Sequence, residues 1–521
     1  MNPSREELLL KLDDHSGAWD IIVIGGGATG LGAALDAASR GYSTLLLEQG
    51  DFASRTSSRS TKLIHGGVRY LQQGNLALVR EALRERYILL QNAPHLVHDF
   101  PFAIPLYKWW ERLFYGIGMA LYDLLSGAHG LKHSRHLSRE ETIDLIPTVR
   151  RLNLRGGIVY HDGQFDDARM AISLARTLTD LGGTPLNYMN VTALTTKAGM
   201  EAIVKVTDRE SGREYLLSGR AVINATGVWC DQVRRMAEPS CSSLVTMSQG
   251  AHLVLDRSFL PGNCAIMIPH TDDGRVFFAI PWHDHVIVGT TDTPLESSTP
   301  EPAPSPDEID FLLAHAGRCL ERQPTRQDVL TVFAGLRPLA RGKAGQKTAE
   351  LSREYLLSVS ASGLVTITGG KWTTYRSMAV AAVDAAAREG GLDSRPSATG
   401  SLRLHGWEPP SSPTESWDGY GSDRGLLEQL TGEQSAWKER LHPRLPYTAG
   451  EIVWATRFEW ARSVEDVLAR RTRALFLDAE ASREIAPRVA ALMAVELGRD
   501  QEWQSRQLES FDAVAKQYLP A

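Results

Sequence analysis

The segment from Asp20 to Glu48 constrains the fold of this chain more than any other stretch. An apolar run at 21–24 leads into a glycine-rich turn, and a second apolar run at 45–47 is followed by Glu48. In a β-α-β unit such glycines bring backbone amides close to a pyrophosphate at a helix N-terminus, and the later acid binds ribose hydroxyls. A tight turn that binds nothing does not explain the acid at this offset. The segment therefore predicts a dinucleotide site formed by Gly25, Gly27, Gly30 and Glu48.

The length and composition describe a globular protein with two or three domains. With 521 residues, of which 43% are hydrophobic and 23% charged, the chain can bury a large core. Its formal net charge of -6 argues against a general nucleic-acid binder. The four cysteines show no C-x-x-C spacing, so neither a disulfide framework nor a metal site is expected.

No part of the sequence has the pattern of a secretory signal or a membrane span. Residues 1–18 are charged and lack an apolar core. The longest apolar candidate, 113–125, contains Asp123 and is shorter than the roughly 20 residues that a span requires. A cytoplasmic protein is therefore expected, and contact with a membrane surface stays open.

Residues 106–122 are rich in aromatic side chains, with Lys108 and Arg112 near the start. An interfacial helix places rings and cations at the level of lipid headgroups, and this pattern fits one. A core helix or a dimer-interface helix fits the pattern equally well. The sequence leaves these alternatives open.

Two later glycine turns, at 226–227 and 369–370, also follow apolar strands. Ligands of a doubly wound sheet bind beyond the carboxyl ends of its strands, so all three turns are expected to meet on one long ligand. FAD suits this arrangement better than NAD, because a buried flavin needs its ring covered as well as its pyrophosphate held. After the third turn, Lys371–Arg376 predicts a helix start whose amides stabilise negative charge at the flavin ring, with a simple helix cap as the alternative.

The polar segment 54–70 combines hydroxyls, bases and glycines in a density that suits a loop around a phosphate-bearing ligand. A solvated loop has a similar composition. Together with the three turns, this segment supplies the other predicted contacts to the cofactor. These are Ser58, Ser60, Thr61, Lys62, His65, Gly66, Gly67, Thr226, Gly227, Gly370, Lys371 and Thr373.

Four cations, Arg69, Arg337, Arg353 and Lys371, lie in motif-like contexts. Arg337 is flanked by apolar residues and a glycine, and Pro338 favours an extended backbone before it. The planar guanidinium binds carboxylates and phosphates through two parallel hydrogen bonds. Any one of these residues alone is more often a surface charge, so the predicted anion clamp depends on the set.

His252 lies in the apolar strand predicted at 250–254. A histidine at such a position is most often a hydrogen-bonded core residue. Its usual pKa also suits a general base that takes a hydroxyl proton while hydride leaves the adjacent carbon. The sequence leaves both interpretations open.

Several motifs together resemble the FAD-dependent glycerol-3-phosphate dehydrogenases of the D-amino-acid-oxidase-like superfamily. They are STKLIHGGVRYL at 60–71, GLRPL at 335–339 and GGKWTTYR at 369–376. Residues 459–473 resemble the helical tail domain of the same family. The likeness extends from residue 19 to about residue 500, so it does not depend on one motif.

The resemblance implies an α/β fold. A glutathione-reductase-type Rossmann FAD domain would be interleaved with an antiparallel β substrate domain and followed by an all-α C-terminal domain. The FAD domain is predicted at 19–90, 150–235 and 335–395. The substrate domain is predicted at 91–149 and 236–334, and the helical domain at 400–521.

The resemblance also implies the reaction. It is the oxidation of sn-glycerol 3-phosphate to dihydroxyacetone phosphate, with hydride passing from C2 to flavin N5 and electrons then passing to a membrane quinone. Arg337, Arg353 and Lys371 would hold the phosphate and the hydroxyl, with Arg69 and Tyr70 lining the same pocket. His252 is the candidate base and Lys371 its rival, so His252, Arg337 and Lys371 form the predicted catalytic set.

The family likeness further implies a homodimer that is peripheral on the cytoplasmic face of the membrane. Two alternatives remain. A glycerol-3-phosphate oxidase, which reduces O2 to H2O2, shares the fold, the flavin and the clamp, but such oxidases often carry an insertion in the substrate domain that is not evident here. A non-catalytic flavin-binding scaffold is disfavoured, because a scaffold has no need of a phosphate clamp.

Overall fold

The structure of the protein is a computed structural model that describes residues 3–67, 74–272, 274–341, 355–409 and 417–520. The strands are β1 Trp19–Ile24, β2 Thr44–Leu47, β3 Leu63–Ile64, β4 Val97–Leu106, β5 Arg135–Leu137, β6 Gly156–Phe165, β7 Thr184–Leu186, β8 Met189–Thr195, β9 Ala202–Asp208, β10 Glu214–Asn224, β11 Val245–Asp256, β12 Ala265–Ile268, β13 Phe277–Trp282, β14 His285–Gly289, β15 Thr293–Leu295, β16 Val329–Ala340, β17 Tyr355–Val359, β18 Val365–Gly369, β19 Arg440–His442 and β20 Leu445–Thr448. The α-helices are α1 Arg5–Asp14, α2 Ala28–Ser39, α3 Leu76–Asn92, α4 Glu111–Ser126, α5 Arg139–Leu145, α6 Asp167–Asp180, α7 Cys230–Ala237, α8 Pro306–Cys319, α9 Tyr375–Glu389, α10 Arg424–Glu433, α11 Ala449–Phe458, α12 Ala474–Leu477, α13 Ala479–Leu497 and α14 Gln501–Ala515.

The first sheet carries the predicted dinucleotide unit. Over the described ranges its order is β17–β18–β10–β1–β2–β7, and β9 and β8 continue from β10 as antiparallel neighbours. The strands from β18 to β7 run parallel, and α2 packs against both α6 and α9. Ile21, Ile22 and Val23 of β1 are fully buried. Because consecutive side chains of a strand point to opposite faces, both faces of β1 are covered, which explains why this strand is an unbroken apolar run.

The second sheet is mainly antiparallel. Among the described residues its order is β15–β11–β14–β13–β12–β4–β6–β3, with β16 beside β11 and β5 beside β6. Helix α8 covers part of this sheet with Ile309 and Leu312, which share a core with β11 and β14. The α/β architecture is therefore the predicted one, with one sheet for the dinucleotide unit and one antiparallel sheet beside it.

Strands β3 and β6 belong to this second sheet, although both lie in ranges predicted for the FAD domain. β6 pairs with β4 along its whole length, and the two strands share the core that contains Phe102 and Tyr160. The pairing of strands that are distant in sequence leaves no mark in the local pattern of either. The domain ranges themselves remain a prediction.

The C-terminal helical region, residues 417–520, contains α10 to α14 and a π-helical turn at Asp466–Arg471. Its helical character is the predicted one, but a short antiparallel ribbon of β19 and β20 was not predicted. The hydrophobic core of this region includes Trp282 and Phe333 of the second sheet. The region is therefore packed directly onto that sheet.

Helix α4 has one buried face and one exposed face. Met119 and Tyr122 are buried in the core shared with β4 and β6. Among the helices of the described ranges, none is both long and apolar enough to cross a bilayer. The exposed side carries Leu113, Phe114, Ile117, Leu121 and Leu124. Together with the exposed Trp109 and Trp110, which directly precede the helix, they are termed here the apolar face of α4.

Candidate active site

The three glycine turns meet at one cavity. Because β18, β10 and β1 are adjacent and parallel, the turns that follow them lie side by side at the carboxyl edge of the sheet. Residues of all three turns line a cavity of about 680 Å³. This volume is within the roughly 300–1,000 Å³ that is usual for ligand and cofactor sites.

Most of the predicted cofactor residues line this cavity. A Cβ at Gly30 would lie 1.8 Å from the carbonyl oxygen of Gly25, so Gly30 allows α2 to pack against the first turn instead. Ser58 and Lys62 belong to the loop that lines the cavity, but both side chains are buried outside the cavity wall. Gly66 and Gly67 are also outside the cavity wall. The predicted residues that form the wall are Gly25, Gly27, Glu48, Ser60, Thr61, His65, Thr226, Gly227, Gly370, Lys371 and Thr373.

The first turn places backbone close to the cavity. Gly25 has a φ of +111°, and a Cβ there would lie 2.7 Å from the carbonyl oxygen of Ala225, so only glycine fits. The Glu48 carboxylate accepts hydrogen bonds from the N–H groups of Gly26 at 2.6 Å and Gly50 at 2.8 Å. Burial raises the pKa of Glu48, and these two donors oppose that shift. The acid is thus held at the wall where the sequence predicts the ribose.

The third turn is bonded to the loop at 54–67. Gly369 and Gly370 both adopt positive φ, at +80° and +68°, and lead into Lys371. The indole Nε1 of Trp372 donates to the carbonyl oxygen of Ser57 at 2.8 Å. The hydroxyl of Thr373 lies 3.3 Å from the backbone nitrogen of His65. These bonds join the first and last parts of the cofactor site.

The two cations of the third motif have different positions. Lys371 lines the cavity. Arg376 forms an ion pair with Glu85 of α3 at 2.5 Å, so its charge is directed at a neighbouring helix. The anion-binding character of this motif therefore depends on Lys371 and the backbone.

The second sheet forms the opposite wall of the cavity. β11 lies between β14 and β16, with His252 opposite Gly289 on one side and Phe333 on the other. Side chains two residues apart on a strand share a face. Gly250 and His252 of β11 therefore line the cavity together, and Arg337 of β16 lines it beside them.

The guanidinium of Arg337 lies across Gly250. A Cβ at Gly250 would lie only 2.0 Å from Nη2 of the arginine. Nη1 donates to the carbonyl oxygen of Thr291 at 3.0 Å and to Oδ1 of Asp292 at 3.2 Å. Nη2 donates to the hydroxyl oxygen of Thr290 at 2.9 Å. The segment that follows β14 thus holds the arginine in one orientation.

The imidazole of His252 is buried and also lines the cavity, so both interpretations that the sequence left open fit its position. The ring stacks on Phe333 with centroids 4.8 Å apart and 12° between the planes. Its Nε2 lies 2.9 Å from the hydroxyl oxygen of Thr61. Burial lowers the pKa of His252 well below its usual range, and the charges of Arg337 and Lys62 lower it further. The ring is therefore neutral at neutral pH.

Three predicted substrate residues, Arg69, Tyr70 and Arg353, lie outside the described residues. Of the predicted anion clamp, the structure describes Arg337 and Lys371, and both line the cavity. The two cations belong to different sheets. They are brought to one cavity by the packing of the first sheet against the second.

Gly250, Gly289, Thr290 and Asp292 are among the residues of the site that were not predicted. Asp292 closes the run GTTD directly after β14, and an acid just after a buried strand is a signal that could have marked it. The glycines leave no comparable signal. A Cβ at Gly289 would lie 2.2 Å from Cδ2 of His252, so the need for glycine comes from a side chain on the neighbouring strand.

The residues present fit FAD. The first turn lines the cavity with the backbone of Gly25 and Gly27, and Glu48 stands at the predicted ribose position. The cavity continues from this turn past the third turn to Arg337 and His252, so it has room for a ring system as well as a pyrophosphate. Fold and cavity together define an FAD-dependent oxidoreductase.

Comparison with known proteins gives the same class and then the family. A family profile described as "FAD dependent oxidoreductase" matches residues 20–376, and one described as "C-terminal domain of alpha-glycerophosphate oxidase" matches residues 416–504. Mitochondrial glycerol-3-phosphate dehydrogenase of Macaca fascicularis is 40% identical over 99% of this chain and 75% of its own length. The corresponding protein of Arabidopsis thaliana is 38% identical over 99% of this chain and 89% of its own length.

A solved structure extends the comparison to three dimensions. The X-ray structure of glycerol-3-phosphate dehydrogenase from Bacillus halodurans complexed with FAD matches with a TM-score of 0.81 and 28% identity, over 99% of this chain and 97% of that one. The chain belongs to the family of FAD-dependent glycerol-3-phosphate dehydrogenases, and its cofactor is FAD. The resemblance stated from the sequence motifs is confirmed.

The Gly25→Ala variant is expected to retain severalfold less FAD than the wild type. Its methyl group would collide with the Ala225 carbonyl, and alanine is strained at a φ of +111°. The ratio of flavin absorbance to protein absorbance after purification measures the effect. Gly182→Ala is the matched control, because its φ is +85° and nothing lies within 4 Å of the added Cβ; it carries a backbone strain of about 1–2 kcal/mol without the collision. Wild-type FAD content in Gly25→Ala would contradict the assignment.

Proposed function

We propose that this enzyme oxidises sn-glycerol 3-phosphate to dihydroxyacetone phosphate and passes the electrons to a membrane quinone. When bound, the flavin accepts the hydride that leaves C2 of the substrate at its N5. The observation that carries the proposal is the shared cavity, in which Arg337 and Lys371 lie with the three glycine turns. An anionic substrate bound by these cations lies beside the third turn.

In this proposal Arg337 binds and orients the substrate. A guanidinium stays charged at any physiological pH. Its bonds to Thr290, Thr291 and Asp292 hold it in place before the substrate arrives. Little side-chain freedom is then lost on binding, which favours affinity. The same charge stabilises the alkoxide that develops as the hydroxyl proton leaves.

His252 is the proposed acceptor of the hydroxyl proton. Its ring is neutral, so one of its two nitrogens carries a lone pair without prior deprotonation. Thr61 and Phe333 hold the ring in one orientation through a hydrogen bond and a stacking contact. Lys371 lines the same cavity and stays the rival base.

The apolar face of α4 favours binding of the protein to a lipid surface. Exposed cations flank this face, with Lys108 and Arg112 at its start and Lys132, Arg135 and Arg139 beyond its end. Amphipathic helices of this kind lie in the membrane interface, and clustered cations select anionic lipids. We therefore propose that the protein binds peripherally to the cytoplasmic, anionic leaflet through this face.

The position of α4 also favours a quinone over dioxygen as the electron acceptor. The hydroxyl of Tyr122, on the buried side of α4, accepts a hydrogen bond at 3.0 Å from the N–H of Gly66. Gly66 adjoins His65, which lines the cavity. A lipid-dissolved acceptor would therefore reach the protein one helix away from the cavity. A homodimer, which the family resemblance implies, would use another surface.

Anaerobic addition of glycerol 3-phosphate is expected to bleach the flavin absorbance of the purified protein. Glycerol, which lacks the phosphate that the clamp binds, should leave the absorbance unchanged. If only dithionite bleaches the flavin, the protein is a flavin-binding scaffold. In air, turnover should reduce a quinone analogue with little peroxide. A stoichiometric peroxide yield would establish the oxidase alternative instead.

The Gly250→Ala variant is expected to lower kcat/KM for the substrate by displacing Arg337. The added methyl would occupy the position of the guanidinium and displace it. Loss of charge-assisted hydrogen bonds of about 1.5–3 kcal/mol corresponds to roughly a 10- to 150-fold fall in kcat/KM. Steady-state kinetics of Gly250→Ala and Arg337→Lys should show similar losses with normal FAD content. Wild-type kinetics in Gly250→Ala would remove Arg337 from the substrate site.

Replacing Leu113 and Ile117 together by glutamine is expected to abolish sedimentation of the protein with vesicles that contain phosphatidylglycerol. The two side chains are 70% and 63% exposed, so the fold should not change. Leu216→Gln is the matched control, because Leu216 is 73% exposed on β10, in the other sheet. Unchanged vesicle binding would contradict the lipid assignment. A loss of dimer mass without a loss of vesicle binding would assign the face to a second copy of the chain.

A further inference from the structure

Three arginines in residues 470–473 of the C-terminal helical region contact segments close to the cofactor cavity. Arg470, Arg471 and Arg473 are all almost completely buried, at 3%, 2% and 1% exposure. Arg470 and Arg471 both bond to Asp51, which follows the Glu48 segment. Arg473 reaches the loop at 56–62 instead. Neither the proposed reaction nor the membrane surface makes use of these residues.

Arg473 holds the loop at 56–62 from beneath. Its Nη2 donates to the carbonyl oxygen of Ser58 at 2.8 Å and to Oδ1 of Asp167 at 3.1 Å. Lys62 donates to the same Ser58 carbonyl at 2.7 Å and to Oδ2 of Asp167 at 2.6 Å. The N–H and hydroxyl of Ser60 also donate to Asp167. Two cations and one carboxylate thus tie both ends of the loop.

The loop is strained in a way that these bonds explain. Lys62 has a φ of +63°, which is uncommon for a residue other than glycine. Such a conformation persists when the surrounding structure over-determines it. The side chain of Lys62 is fully buried among the rings of Trp282, Phe333 and Phe476. Burial lowers its pKa to about 7, although Asp167 opposes the shift.

The tied loop presents Thr61 to His252. Thr61 lies between Ser60 and Lys62, which are both bonded to Asp167. Its hydroxyl oxygen is 2.9 Å from Nε2 of the imidazole. Over the described residues, the other ring nitrogen of His252 has no hydrogen-bond partner. The orientation of the ring in its own plane therefore depends on Thr61.

A second contact from the same segment reaches His252. Phe476 of α12 packs against Phe333 with ring centroids 4.9 Å apart. Phe333 in turn carries the stacked imidazole at 4.8 Å. The guanidinium of Arg473 lies 4.2 Å from the ring of Phe476. Residues 473–476 therefore support both the edge and the face of the imidazole.

We propose that Arg473 and Phe476 are positioning residues of the flavin site, and that the C-terminal helical region sets the place of His252. The proposal rests on the proposed function, in which His252 takes the hydroxyl proton. Without Arg473, the Ser58 carbonyl and Asp167 would each lose a buried partner. The loop would relax, the Thr61 hydroxyl would leave Nε2, and the imidazole would turn away from the substrate. Arg337 and Lys371, which bind the substrate, would stay in place.

The test compares Arg473→Met, Arg473→Lys and Thr61→Val in the full-length holoenzyme. In Arg473→Met we expect kcat to fall about tenfold or more while KM changes less than about twofold, since a small misplacement of a reacting group costs rate. Arg473→Lys should recover much of kcat, and Thr61→Ser should recover the loss in Thr61→Val. Because Arg473 acts through Thr61, the kcat of the double variant Arg473→Met/Thr61→Val should be no lower than that of the slower single variant.

The matched control is Arg176→Met. Arg176 is an equally buried arginine that pairs across the same boundary with Asp423 of the C-terminal helical region. The Arg176→Met variant should have a lower unfolding temperature than the wild type, as Arg473→Met should, but an unchanged kcat. Wild-type kcat in a folded, FAD-loaded Arg473→Met would overturn the proposal. An equal loss of kcat in Arg176→Met would overturn it too, because the effect would then be general destabilisation.

Two further measurements keep the outcome decisive. If Arg473→Met does not fold, Phe476→Leu and Thr61→Val decide, and wild-type kcat in both would overturn the proposal. The rate of FAD dissociation, followed by flavin fluorescence without substrate, should rise in Arg473→Met and in Thr61→Val without adding in the double variant. This readout tests the link from Arg473 to Thr61 even if glycerol 3-phosphate fails to bleach the wild-type flavin, which would refute the proposed function alone.

Discussion

The parallel pairing of β1, β10 and β18 is the constraint on which the rest of this structure depends. Each strand ends in a turn that contains glycine, and parallel neighbours must end at the same edge of a sheet. The three turns therefore form one wall of a single cavity, although they are far apart in the chain. The positive φ of Gly25 and the 2.7 Å that would separate its Cβ from the Ala225 carbonyl oxygen show how closely the backbones approach there. An FAD site at this edge follows from the pairing.

The chemistry at the opposite wall depends on space as much as on functional groups. Protein interiors are close-packed, so a bulky side chain can lie flat only where a neighbour has none. Arg337 and His252 occupy the space above Gly250 and Gly289. Their shared orientation comes from the register of β11 with β14 and β16, and a shift of one residue would move both to the other face.

Buried charges connect the C-terminal helical region to these two walls. A buried ion pair adds little net stability, because desolvation offsets the attraction, but removing one partner is costly. Pairs such as Arg471 with Asp51 and Arg473 with Asp167 are therefore better suited to holding segments in place than to stabilising the fold. They lie directly beneath the loops that carry Glu48 and Thr61.

The sequence by itself determined the dinucleotide unit, the three glycine turns, the choice of FAD and the family. Glycine spacing and apolar runs record backbone conformation and burial, which are local properties. The tertiary structure alone decided the contacts between distant side chains. It placed Thr61 against His252, buried Lys62 against the Ser58 carbonyl within the loop, paired Arg376 with Glu85 and joined β6 to β4. Such contacts depend on strand register and on the packing of one sheet against another, and neither leaves a pattern in any single segment.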